Sequence, residues 1–61
     1  MSRKDYIRIA RGINSIYKAQ DKPMDAILVA DVADAIAAEL AADNPLFDWE
    51  RFADACTKEE E

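Results

Sequence analysis

The chain has 61 residues, about half of them apolar, with a net charge of −5, one cysteine, one glycine, two prolines and no histidine. A single cysteine cannot form an intrachain disulfide, and without histidine a Cys/His zinc site is excluded. So few glycines and prolines in an alanine-rich chain argue for helix throughout and against an all-β fold.

This length is one small domain, near the lower limit for a self-sufficient core, and domains of this size usually need a staple or a partner. A lone thiol without disulfides fits a reducing cytoplasm. The opening Ser2-Arg3-Lys4-Asp5 leads into a charged helix rather than an apolar signal region. The longest apolar run, Ala26 to Ala30, is far short of a membrane span. Charge is distributed unevenly. Residues 1–22 carry six Lys/Arg against two acids, a balance of +4, whereas residues 23–61 carry two against eleven, a balance of −9. Such polarity can be satisfied internally, between chains, or by partners of either sign.

The first helix is expected from about Arg3 to Gln20, opened by a Ser2/Asp5 capping box. Tyr6, Ile9, Ile13, Ile16 and Tyr17 fall on one stripe at 100° per residue, the signature of a core-facing side. Gly12 lies beside that stripe and costs about 1 kcal/mol relative to alanine, which predicts close approach of another backbone. Asp21-Lys22-Pro23 forms a short link in which Asp21 can cap or turn and Pro23 suits the first helical turn. The second helix, about Pro23 to Ala42, is then an antiparallel neighbour. Its larger stripe is Val29, Val32, Ala33, Ile36 and Leu40. A second stripe of Ala26, Ala30, Ala37 and Ala41 predicts a close neighbour on another side. Ile27 and Leu28 fall outside both.

Asn44-Pro45 stops the second helix, because proline restricts the residue before it and cannot continue the ladder. Asp48 is a good N-cap for a third helix from about Trp49 to Thr57. Phe47 and Phe52 have hydrophobic-staple spacing, and Trp49, Phe52, Ala53 and Cys56 form one apolar face. Glu59, Glu60 and Glu61 put negative charge at the negative end of a helix, so residues 58–61 are expected to fray.

The stretch from Ala41 to Cys56 resembles the A-x-D-N-P-x-F-D-x-x-R-F-x-x-A-C ending of small uncharacterised bacteriophage and prophage proteins. The opening Asp5-Tyr6-Ile7-Arg8-Ile9-Ala10 with Ile13 is similar to their D-Y-x-x-I-A-x-x-I start. The resemblance implies a phage-type accessory protein working in a bacterial cytoplasm, and it carries no activity or binding residues with it. Trp49 departs from the polar or charged residue expected there.

Three surface features are candidates for function. The basic row Lys4, Arg8, Arg11 and Lys18, with Ile7 beside it, can meet a protein or track phosphates, and equally can be a solvated face or a partner for the chain's own acids. The carboxylates, with Asp31 and Asp34 one turn apart on the second helix, can repel nucleic acid, imitate its phosphates, or simply keep the chain in solution; no calcium-type D-x-D-x-D-G loop is present. Ile7, Ile27 and Leu28 can serve association or merely cover helix ends. Cys56 lacks a histidine base and reads as a buried, inert thiol.

The expectation is therefore an all-α fold, a helical hairpin closed by a short C-terminal third helix. Its core is Tyr6, Ile9, Ile13, Ile16, Val29, Val32, Ile36, Leu40, Phe47, Trp49 and Phe52. The expected function is non-enzymatic: binding a host or phage protein and modulating its activity through Lys4, Ile7, Arg8 and Arg11 or through Asp31 and Asp34, with no cofactor, metal or membrane. A nucleic-acid regulator using the first helix and a self-assembling structural unit are the alternatives.

Overall fold

Three α-helices and their connections form the chain in a computed structural model that describes residues 2–59: α1 (Arg3–Lys18), α2 (Pro23–Asp43) and α3 (Trp49–Cys56). No strand occurs among the described residues, and no helix there is long and apolar enough to cross a membrane. The all-α hairpin closed by a short third helix is the observed architecture.

Local chemistry sets each boundary. At the start of α1, Ser2 donates its backbone N–H (2.9 Å) and its hydroxyl (3.2 Å) to one Asp5 carboxylate oxygen. These bonds hold the Asp5 carboxyl below its ordinary range, the backbone bond contributing most. Aspartate thus fills the place that glutamate usually takes in a capping box. Between α1 and α2, Asp21 takes the bend and does not cap. Lys22 occupies the cap position, and its side chain makes no capping bond. Pro23 opens α2, where the missing N–H costs nothing.

The turn after α2 is tightly specified. The Asn44 N–H donates to the Leu40 carbonyl at 2.9 Å, the Asn44 side-chain oxygen accepts the Leu46 N–H at 3.1 Å, and the Asn44 carbonyl accepts the Phe47 N–H at 2.9 Å. Pro45 sits inside that turn, where its fixed φ is suited. Asp48 then caps α3, accepting the Arg51 N–H at 3.2 Å. The staple forms as expected, with the Phe47 and Phe52 rings 5.5 Å apart edge to face, and Tyr6 joins it at 4.5 Å from Phe47.

These rings hold the beginning of α3 against the beginning of α1. The far ends are held by Asn14, whose side-chain amide donates to the Cys56 carbonyl at 3.0 Å and the Lys58 carbonyl at 2.7 Å. The last carbonyls of a helix have no intrahelical partner, and α1 supplies one. Tyr17 reaches the same end, its hydroxyl donating to Glu59 at 3.3 Å. Helices α1 and α3 therefore run in the same direction, with α2 antiparallel to both. Within the expected frayed tail, Lys58 and Glu59 are hydrogen-bonded to α1, whereas Glu60 and Glu61 lie outside the described residues.

The core differs from the expectation. Its buried members are Ala10, Ala33, Ala37, Phe52 and Cys56, with Tyr6, Ile13, Ile36, Leu40 and Phe47 partly buried around them. Ile9, Ile16, Val32 and Trp49, expected inside, are exposed at 36, 55, 51 and 52%. The reason is the seat of α3. It lies over the side of α1 that carries Ala10, Asn14 and Ile7, and at about 100° per residue Ile9 and Ile16 point to the other side of Ala10. On α2 it lies over the alanine flank, where Trp49 shares a small cleft with Ala38 and Ala41, and Val32 faces away. The alanine stripe does receive a close neighbour.

Gly12 is also corrected. A Cβ built there meets nothing within 4 Å among the described residues, so no neighbouring element approaches it. Gly12→Ala should therefore raise stability in dilute solution by about 0.5–1 kcal/mol, the helix-propensity difference, measured by denaturant unfolding. Asn14→Ala should lower stability by about 1–3 kcal/mol, because two carbonyls lose their donor. Amide exchange should then show the loss of protection concentrated in α3.

Candidate functional site

Helix α1 and the segment from Asn44 to Ala55 do not close completely. Between them lies an open groove of about 600 Å³. Its α1 wall is Arg3, Tyr6, Ile7 and Ala10; its other wall is Leu46, Phe47 and Asp48 from the turn, with Arg51, Phe52 and Ala55 from α3. Each side chain has a local reason for its place. The Asn44 turn projects Leu46 at its tip, 92% exposed, while Phe47 turns inward onto Tyr6. The Asp48 cap sets the start of α3, so that Arg51, three residues on, stands on the groove side. Ile7 is 50% exposed on the opposite wall. The groove thus has an apolar interior with Arg3 and Arg51 at its margins and Asp48 beside them.

Lys4, Arg8 and Arg11 are exposed on the flank of α1 that continues outward from Ile7. No salt bridge joins any of the three to an acid among the described residues. Among the described residues these three do not serve as partners for the chain's own acids, whereas Lys18, the fourth member of the row, is engaged. Helical spacing puts Lys4, Ile7 and Arg11 on neighbouring positions of one flank, so the groove and the basic row form one continuous surface.

Asp31 and Asp34 lie elsewhere. Asp34 lines a smaller cleft of about 280 Å³ with Ala38, Ala41 and Trp49, and Asp31 is exposed one turn earlier on the same flank of α2. The structure thus divides the expected contact residues between two surfaces on opposite sides of α3. Lys4, Ile7, Arg8 and Arg11 are brought together; Asp31 and Asp34 are not brought to them.

Leu46, Arg3 and Arg51 were missed by sequence reasoning, which treated Asp43 through Phe52 as a core-closing device. One signal for Leu46 was present: the residue after Pro45 in an Asn-Pro turn stands at the tip, where a large aliphatic side chain has no core to enter. Arg51 carries no such signal, since its position on the groove depends on where α3 lands.

Among the protein-family models, curated proteins and solved structures compared with the chain, none matches.

Cys56 is fully buried against the alanines of the core. Burial, and secondarily the negative charge of Asp34, push its thiol from an ordinary value of 9.0 up to about 11. At neutral pH it is a protonated, enclosed thiol, which is the opposite of an activated nucleophile. The Tyr17 phenol is likewise pushed up, first by burial and then by the neighbouring Glu59 carboxylate and their hydrogen bond. Both groups hold protons in the folded chain that the unfolded chain releases at lower pH, so the stability they contribute is full below pH 9 and falls as pH rises toward 11. The Cys56 contribution to that loss is about 2–3 kcal/mol. Denaturant unfolding across this range should show the decline, and Cys56→Ala should flatten most of it while lowering stability at neutral pH.

Proposed function

We propose that this chain is a non-enzymatic, phage-type accessory protein that acts in a bacterial cytoplasm by binding a host or phage protein and modulating its activity. The observation that carries this reading is the surface formed by Ile7, Leu46, Arg3 and Arg51 with the adjoining row Lys4, Arg8 and Arg11. Two large aliphatic side chains stand in solvent on either side of a groove, and Lys4, Arg8 and Arg11, which make no ion pair among the described residues, adjoin them. An apolar centre with a charged margin is the general anatomy of a protein-binding patch. The groove suits an amphipathic segment that offers one or two large apolar anchors flanked by Asp or Glu, the arrangement by which helices dock into grooves.

Two further features support a protein partner over nucleic acid. Tyr6 and Tyr17 are half-buried and engaged with Phe47 and Glu59, so neither is presented as a stacking surface for bases. The chain as a whole carries −5, which opposes approach to a polyanion. The provenance rests on the resemblance of residues 41–56 and of the α1 opening to small phage proteins.

The test is affinity purification from a bacterial lysate with three forms of the chain, followed by identification of bound protein. The wild-type chain should recover a partner. Leu46→Asp, at a 92% exposed position that leaves the fold intact, should weaken binding at least tenfold. Arg8→Glu combined with Arg11→Glu should slow association in a salt-dependent way. Absence of any partner, or a partner retained equally by all three forms, overturns the proposal. Salt-dependent binding of DNA or RNA lost in the arginine variant establishes the nucleic-acid reading instead.

A further inference from the structure

We infer that, with no other protein bound, the groove between α1 and α3 takes the acidic edge of α2 from a second copy, so that copies associate head to tail. This rests on the groove described above and does not depend on an outside partner. The edge is Met24, Ile27, Asp31 and Asp34. At 100° per residue these four fall within an arc of about 80° on α2. Met24 and Ile27 are 80 and 59% exposed, and both aspartates are exposed. Ile27 belongs to neither core stripe of α2, and the three-helix fold leaves it in solvent.

Charge identifies the occupant. The groove fits large apolar anchors with acids beside them, and the edge has that order: two apolar side chains one turn apart, then two carboxylates one turn apart. Helix α2 has five acids and no base, and Asp31 and Asp34 make no ion pair among the described residues. Opposite charge borders the groove. Arg3 and Arg51 line it, and Lys4 and Arg11 continue the flank of Ile7. Asp48 is the acid in its wall, and one of its oxygens already accepts the Arg51 N–H. The lengths agree as well: Arg3 to Ala10 and Ile27 to Asp34 each rise about 10 Å at about 1.5 Å per residue. Each copy is −5 overall, but the Debye length is about 8 Å at physiological salt. The charges that meet at the contact therefore outweigh those on remote faces.

The chain cannot fill its own groove, because its α2 edge lies on the other side of α3. Groove and edge are different patches, so the contact is heterologous. Each copy offers its edge to one neighbour and its groove to another, and the series does not close at two. An outside protein that binds the groove competes with this self-association, which makes the chain's own concentration a regulator of access to the groove.

Sedimentation of the purified full chain over a micromolar-to-millimolar series should show reversible growth past the dimer. Leu46→Asp disables the groove, and Asp31→Lys combined with Asp34→Lys disables the edge. All three positions are exposed, so circular dichroism should stay helical. Each variant alone should associate at least tenfold more weakly than the wild type. An equimolar mixture of the two should form a dimer and stop there, because one supplies the intact edge and the other the intact groove. A wild-type monomer at every concentration overturns the inference, as does association that either variant leaves unchanged. A wild-type assembly that stops at two, or two weakened variants that do not combine on mixing, shows one patch meeting itself and overturns it too. Self-association is read on the purified chain alone, so it can be present where capture from a lysate fails and absent where capture succeeds.

Discussion

The contact on which the rest of the structure depends is the seating of Phe52 and Cys56 against Ala10, Ala33 and Ala37. Alanine at these positions lets α3 sit close enough to both hairpin helices to exclude water from all five side chains. A larger residue at Ala33 or Ala37 would push α3 outward and open its contacts with both neighbours at once, since overpacking in so small a core cannot relax elsewhere. The two ends of α3 are then secured by different chemistry. Aromatic packing of Tyr6, Phe47 and Phe52 holds the start, and the Asn14 amide holds the finish.

This choice of seat determines what the surface offers. A short helix covers only one side of a hairpin, and the side it covers is lined with alanine. Ile9, Ile16 and Val32 consequently lie on the side left open. Helix α2 shows the effect most clearly. It has apolar residues around most of its circumference, with no pronounced polar face, whereas α1 and α3 are sharply amphipathic. A helix apolar on all sides is normally enclosed. Here it has Ile27, Leu28 and Val32 in solvent.

Electrostatics follows the same division. The cations of α1 and the acids of α2 belong to adjacent antiparallel helices, yet Lys4, Arg8 and Arg11 make no ion pair among the described residues. Their helical positions turn them away from α2 and outward beside the groove. The separation of charge visible along the sequence is therefore preserved as a separation in space, between a cationic edge and an anionic one.

The sequence by itself determined the three helices, their order and the chemistry of their ends. Ser2/Asp5, Pro23, Asn44-Pro45 and Asp48 act within a few residues of where they stand, so their consequences are readable without a fold. The Phe47/Phe52 staple and the close neighbour over the alanine stripe were legible for the same reason. Which apolar stripe would be covered was decided by tertiary structure alone. Periodicity shows that Ile9, Ile16 and Val32 share a side of their helices, but it does not say on which side of the hairpin a third helix will land. Arg51, Leu46 and Arg3 likewise become one surface only because α3 runs parallel to α1. The Asn14 clamp that fixes that direction joins residues 42 and 44 positions apart, and no local pattern announces it.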